Sequence, residues 1–267
     1  MTRKGNPMPD PTFTGKSALA HTTIPDGVED LSDLVGIVSP YETPLLGALG
    51  DADREAVSGR PASRLVKVVV VNRRGLAARH LAVADELDFQ KAKALRHLLR
   101  ELEQAVVNDL VSRLTTNRCT PGERGFPSGT VLDDDKLNAA LAVIWERSRG
   151  QVDLIVAGGF LARAIALLAG PHHTNQRAIY ESDFGVQRVV LSRWVPRDTV
   201  LLLDSNRIQV QPLPGRRFQY QPFPASGDFE KGQVFGEYSL DVRDETAHGV
   251  IRGLATEHKE QGHDTTA

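Results

Sequence analysis

The chain has 267 residues, 40% of them hydrophobic, with 32 Lys and Arg against 34 Asp and Glu for a net charge of −2. That apolar content supports a real core over about two domain-sized units, and the near balance of charge excludes a globally basic binder of nucleic acid or anionic membrane. The single cysteine, Cys119, excludes an intramolecular disulfide framework and a cysteine zinc cluster.

The opening, MTRKGNPMPDPTFTGKSALA, has basic residues but lacks the roughly 7–15 residue apolar core of a signal peptide. No run approaches the ~20 apolar residues of a membrane helix, so no membrane partner and cytoplasmic synthesis are expected. Residues 1–23 are polar and broken by Gly5, Pro7, Pro9, Pro11 and Gly15, which reads as a flexible arm. In VEDLSDLVGIVSPYETPLLGAL, residues 28–49, Glu29, Asp30 and Asp33 lie beside Leu31, Leu34, Val35, Ile37 and Val38. This predicts a short amphipathic helix with acid in its first turn, ended by Ser39-Pro40, then a second apolar run opened by Thr43-Pro44.

Leu65–Val71 (LVKVVVV) is strongly β-branched and predicts a strand. After a turn at 72–75, residues 76–88 are expected to return as a second strand. From Asp88 to Leu114, Leu95, Leu98, Leu99, Leu102, Val106, Leu110 and Leu114 recur at three- and four-residue steps. They predict a helix about 40 Å long. Residues 115–130, with Pro121, Gly122, Gly125, Pro127 and Gly129, read as a loop between subdomains.

Asp133, Asp134 and Asp135 open a helix over 134–149, with Gly150 read as its C-terminal stop. A buried strand at 152–157 and a helix at 160–169 complete an α/β unit, and the rest is strand-rich: 186–192, 200–204, 207–213, 218–221, 234–242 and 249–254. Residues 256–267 form a polar tail.

The chemistry-bearing candidates are few. Gly158-Gly159 lies between strand and helix without GxGxxG or GxxxxGK[ST] spacing, so a plain turn is preferred over a phosphate site. His172-His173 lacks the i, i+4 spacing of a zinc helix. The 133–135 triplet is explained by helix capping, and Cys119 has no active-site signature around it. No catalytic, metal or cofactor residue is assigned. An α/β nucleotide-binding enzyme over 131–213 stands as the alternative from another class.

Ordered motifs carry a resemblance. EDLSD at 29–33, Ser39-Pro40 and TPLL at 43–46 resemble the opening of one family of tailed-phage major capsid proteins with the Hong Kong 97-type shell fold. VDLIVAGG, YESDFGVQRVVLSRWVPRDTVLLLD and GDFEKGQVFGEYSLDVRDETAHGVIRGL resemble its back half, so the likeness runs from about Ile24 to Leu254.

The resemblance implies an α+β capsid fold. Its parts are an N-terminal arm and short helix (1–50), an extended β loop (51–86, short for the family), a peripheral domain with a spine helix (87–130), an axial α/β domain (131–223), and a return to the peripheral domain with a C-terminal tail (224–267). It implies a non-enzymatic subunit of the icosahedral head of a tailed phage or prophage, located in the virion and made in the host cytoplasm. The same fold also serves encapsulin-like compartments and gene-transfer particles.

The implied partners are further copies in pentamers and hexamers; scaffolding, portal and decoration proteins; and packaged double-stranded DNA held non-specifically. Some relatives form Lys–Asn cross-links; none is expected from Lys67, Lys91 or Lys93. Residues 1–23, 51–86 and 115–130 are the candidate intersubunit segments. The assembly residues expected are Leu31, Leu34, Tyr41, Leu45, Arg73, Arg74, Arg79, Arg96, Arg100 and Glu103.

Overall fold

The structure is a computed structural model that describes residues 23–24, 28–35, 41–49, 63–72, 86–114, 118–119, 129–148, 150–169, 178–224 and 227–256. The arm at 1–22, most of the loop after Asn72, including Arg73, Arg74 and Arg79, and the pair His172-His173 lie outside them. Two six-stranded sheets organise the described chain around a long helix.

The first sheet is antiparallel. It joins β1 (Thr23–Ile24), β2 (Val28–Asp30), β10 (Gln219–Pro222), β11 (Phe229–Val242) and β3 (Ser63–Asn72) in that order, and β9 (Ile208–Pro212) also pairs with β11. Its inner face packs on α3 (Glu86–Arg113), whose buried stripe runs through Leu95, Leu98, Leu99, Leu102, Val106 and Leu110. The three- and four-residue spacing places these on one side of the helix, where they meet Leu65, Val69, Val71, Val234 and Leu240. Gly232 of β11 is required by close approach: a Cβ there would come within 2.4–2.5 Å of the Tyr220 ring.

The second sheet has the order β4 (Arg118–Cys119), β12 (Gly249–Ile251), β8 (Val200–Leu203), β5 (Leu154–Ala157), β7 (Gly185–Leu191), β6 (Ala178–Ser182). The β4–β12 and β5–β7 pairs are parallel and the others antiparallel. Helices α4 (Asp134–Arg147) and α5 (Gly159–Leu168) cover one face through Leu137, Leu141, Ile144, Leu161 and Ile165. Leu154, Val156, Leu201 and Leu203 turn the other way and join the core built on α3. Strands buried on both faces read as the continuous apolar runs LIVA and VLLL.

Two of the chain's crossings between the sheets lie in adjacent places. A single 3₁₀ turn at Ser205–Arg207 carries it from β8 to β9, and another at Glu245–Ala247 carries it from β11 back to β12. Strands β9 and β10, within 131–223, therefore belong to the sheet of the spine helix, and β12, within 224–267, belongs to the sheet carrying α4 and α5.

Several local expectations are corrected. Residues 28–30 are strand rather than the first turn of a helix, because they pair with β10 and Asp30 caps the short helix that begins at Ser32. The Ser32 backbone N–H donates to Asp30 Oδ1 at 2.9 Å and its hydroxyl at 2.6 Å, and this helix, α1, spans only Ser32–Val35. Residues 86–88 already belong to α3, so the return strand expected at 76–88 does not reach them; residues 76–85 lie outside the described chain. Cys119 sits in a two-residue strand beside Ile251 rather than in a plain loop. Gly150 is not a left-handed helix stop: α4 ends at an extended Ser148, and a Cβ on Gly150 would lie 2.6 Å from the Ala247 side chain and 2.9 Å from Asp204 Oδ2.

Candidate assembly surfaces

Three of the expected assembly residues are interior. Leu31 and Leu45 are buried in the α3 core, and Glu103 is fully buried. Glu103 projects from α3 at the start of α2 (Pro44–Leu49), where its two carboxylate oxygens accept the Leu45 and Leu46 backbone N–H groups, each at 2.9 Å. A short helix leaves its first N–H groups without partners, and this distant carboxylate supplies them. Burial pushes the Glu103 carboxyl above its ordinary value despite both bonds. These residues hold the opening segment onto the spine, which is why they are absent from the surface. Leu34 lies in α1.

Of the other expected residues, Tyr41, Arg96 and Arg100 form a surface group, while Arg73, Arg74 and Arg79 lie outside the described residues. Tyr41 is 88% exposed. Next to it, Glu42 receives Arg100 at 3.0 Å and Arg96 at 3.6 Å, so both arginines are partnered across α3 within the subunit while about half exposed. Of the lysines, Lys91 is buried: its Nζ lies 2.6 Å from Glu29 Oε2, 3.2 Å from Asp88 Oδ1 and 4.6 Å from the Tyr220 ring centroid. It ties the start of α3 to β2.

A second surface was missed in the residue-level expectations. The outer face of the first sheet presents Val66, Val68 and Val70 of β3, 38%, 57% and 50% exposed, with Phe229 of β11 at 42%. The register explains the alignment: Val66, Val68 and Val70 stand opposite Phe235, Gln233 and Lys231. The signal was present in LVKVVVV, which is apolar on both strand faces although only one face packs on α3.

The crossover corner is polar and closely bonded. Arg207 bridges Asp204, at 3.3 Å, and Asp244. Asp153 accepts the Ser205 N–H at 2.7 Å and its hydroxyl at 2.6 Å, and His248 Nδ1 accepts the Asp204 N–H at 3.1 Å. Burial holds the His248 imidazole down to about 4, so it is neutral near pH 7 and fit to accept that bond. Nothing here resembles a reaction centre. Among the described residues, no group of three or more His, Cys, Asp or Glu is placed to hold a metal ion. Asp133 caps α4 by accepting the Lys136 N–H at 2.9 Å, and Asp134 accepts the Tyr180 hydroxyl. Gly158 is packed against the backbone of 195–197.

The SU10 major capsid protein family matches residues 67–255 of this sequence. The chain belongs to that family. No curated protein matches it in sequence. Among solved structures, the holo-SrpI encapsulin complex from Synechococcus elongatus is 16% identical with a TM-score of 0.56, covering 73% of this chain and 75% of the other. The capsid of cyanophage A-1(L) is 12% identical with a TM-score of 0.55, covering 78% and 84%, and Gordonia phage Cozz is 12% identical with a TM-score of 0.53, covering 78% of each.

The fold is the Hong Kong 97-type capsid fold. As a member of the SU10 major capsid protein family, the chain is a structural subunit of an icosahedral phage head and not an enzyme. This sets aside the nucleotide-binding alternative. Self-assembly into a virion shell follows from the same membership.

Proposed function

We propose that the subunits associate as pentamers and hexamers through the outer face of β3 and β11, with Tyr41 and the Arg96–Arg100 side of α3 forming a second contact, and that the shell encloses double-stranded DNA without sequence preference. The observation carrying this is the row Val66, Val68, Val70 and Phe229, apolar and exposed on a subunit whose sheet is otherwise well packed. An exposed apolar row of this kind marks a protein interface, and obligate interfaces bury upwards of about 2,000 Å². The net charge of −2 suits a container that releases its DNA, because a strongly basic shell would grip it. Arg73, Arg74 and Arg79, just past β3, are assigned to the same contact. The subunit is made in the cytoplasm of the host, and scaffolding, portal and decoration proteins are its partners there.

The test is negative-stain electron microscopy with light scattering on the protein expressed alone and with its neighbouring gene products. Closed shells tens of nanometres across support the reading. A small discrete oligomer that no scaffolding or portal protein converts to shells overturns it. Encapsulin-like compartments share the fold, and an enzyme cargo in place of nucleic acid inside purified particles would move the assignment to them.

A further inference from the structure

We infer that α2 is a two-ended latch between the spine helix and the second sheet, through which Arg188 of β7 governs the surface at Tyr41 and Glu42. Its N-terminal end is fixed by Glu103 of α3, whose carboxylate takes the Leu45 and Leu46 N–H groups. Its C-terminal end is fixed from the other side: Arg188 Nη2 donates to Ala48 O at 3.0 Å, across 140 residues of sequence. Between these anchors α2 touches β7, β9 and the turn at Ser205–Arg207, with Leu45 fully buried in the core built on α3.

α2 has little reason to be helical without both anchors. Its six residues span about 9 Å, far below the length at which a helix holds in water by itself. Gly47 stands exposed within it, where glycine favours the unfolded chain. The helix carries no acidic residue in its first turn and no basic residue in its last. The charges that suit the two ends of a helix dipole are brought instead by Glu103 and Arg188, from the spine helix and the second sheet. With so costly a nucleus, a helix this short forms or opens as a whole. Losing one anchor therefore frees the other.

What the latch holds is the surface beside it. Glu42, two residues before Pro44, pairs with Arg100 at 3.0 Å and with Arg96 at 3.6 Å, and Tyr41 next to it is exposed. With α2 formed, Glu42 is delivered to both arginines. With α2 open, the two arginines lose the carboxylate they share, and the surface changes its charge and its shape together. A residue of the second sheet is thereby coupled to a surface of the spine helix through one bistable element. The latch is a property of the single subunit; its bearing on assembly rests on the Tyr41 contact proposed above.

The experiment is NMR of the unassembled subunit carrying Arg188→Met, which removes the donor and keeps most of the side chain's length. Hydrogen exchange is read residue by residue, together with the Arg100 Nε–H, which donates to Glu42 at 3.2 Å. The Leu45 and Leu46 amides are bonded to Glu103 and not to Arg188, yet they are expected to exchange about tenfold faster or more. The Arg100 Nε–H should move toward its unpaired position while the amides of β5 and β8 keep their rates. Gly47→Ala acts in the opposite sense and should slow Leu45 and Leu46 about two- to fivefold, in the unaltered chain and in Arg188→Met alike. Acceleration confined to Ala48 and Leu49 would mean an end that frays alone, and overturns the latch. Equal acceleration in β5 and β8 overturns it too, as does a lack of slowing by Gly47→Ala, which leaves both anchors in place. A subunit that shows the open latch and still forms shells at an unchanged concentration confirms the latch and removes the Tyr41 contact.

Discussion

The two sheets bury their faces differently. In the second, every residue of β5, β8 and β12 is buried, with α4 and α5 on one side and the spine-helix core on the other. In the first, the inner face packs on α3 while Val66, Val68, Val70 and Phe229 stay exposed on the outer face. These three strands therefore serve the subunit's own core, although β6 and β7 at the edge of the same sheet expose Ile179, Val186 and Leu191. On the proposed reading the first sheet divides its apolar surface between subunit and shell, and equal truncations in β8 and β3 should separate folding from assembly.

The largest separation is expected from Leu202→Ala. Leu202 is fully buried between β5 and β12, and removing three carbons there leaves a cavity that rigid neighbours on both faces cannot close. Urea unfolding of the unassembled subunit should show a loss of about 3 kcal/mol. A loss below about 1 kcal/mol would show that the second sheet is loosely packed and would break the comparison.

Acid tests the seam between the sheets. His248 titrates at about 4 in the folded subunit against 6.5 in the unfolded chain, so between these values the unfolded state binds the extra proton. Stability is whole above pH 6.5 and falls by about 3 kcal/mol as pH drops to 4. Glu103 acts in the opposite sense, since its raised carboxyl favours the folded state at low pH. His248→Asn, which keeps an acceptor for the Asp204 N–H, should flatten the urea midpoint between pH 7 and 4.5. An unchanged slope would remove the histidine as its cause.

Periodicity made the second sheet and the spine helix legible: Leu95 to Leu114 and LIVA announce themselves by spacing and run length. The opening was misread because Asp30 and Leu31 suit a helix start locally, while their pairing with β10 depends on residues nearly 190 positions later in the chain. The role of Glu103 was hidden for the same reason, since its partners lie 58 and 57 residues earlier. Gly150 looked like a helix stop because sequence shows neighbours along the chain and not the Ala247 methyl packed on it. The exposed valines were legible only as an excess of apolar residues, because the sequence alone does not show which strand face packs on α3.

Glu103→Ala probes the join between the opening segment and the spine. It leaves the Leu45 and Leu46 N–H groups without their acceptor in a mostly buried place, at a cost of about 2 kcal/mol. Hydrogen exchange at Leu45 and Leu46 should accelerate before that of β5 or β8. Exchange that accelerates uniformly would mean that α2 and the second sheet unfold as one unit.

The smallest effect on the subunit should accompany the largest on the shell. Val68 and Val70 are half exposed, and threonine keeps their shape and β-branching, so Val68→Thr with Val70→Thr should change subunit stability by no more than about 0.5 kcal/mol. At a covered interface each new hydroxyl must lose its water, at about 1–3 kcal/mol where no partner is gained. That cost recurs in every subunit of the shell. The concentration needed for assembly, read by light scattering, should rise at least tenfold while the melting curve of the free subunit stays in place. Assembly unaffected by the two hydroxyls would mean that this face looks onto solvent in the finished head, and the apolar row would then have to be explained within the subunit.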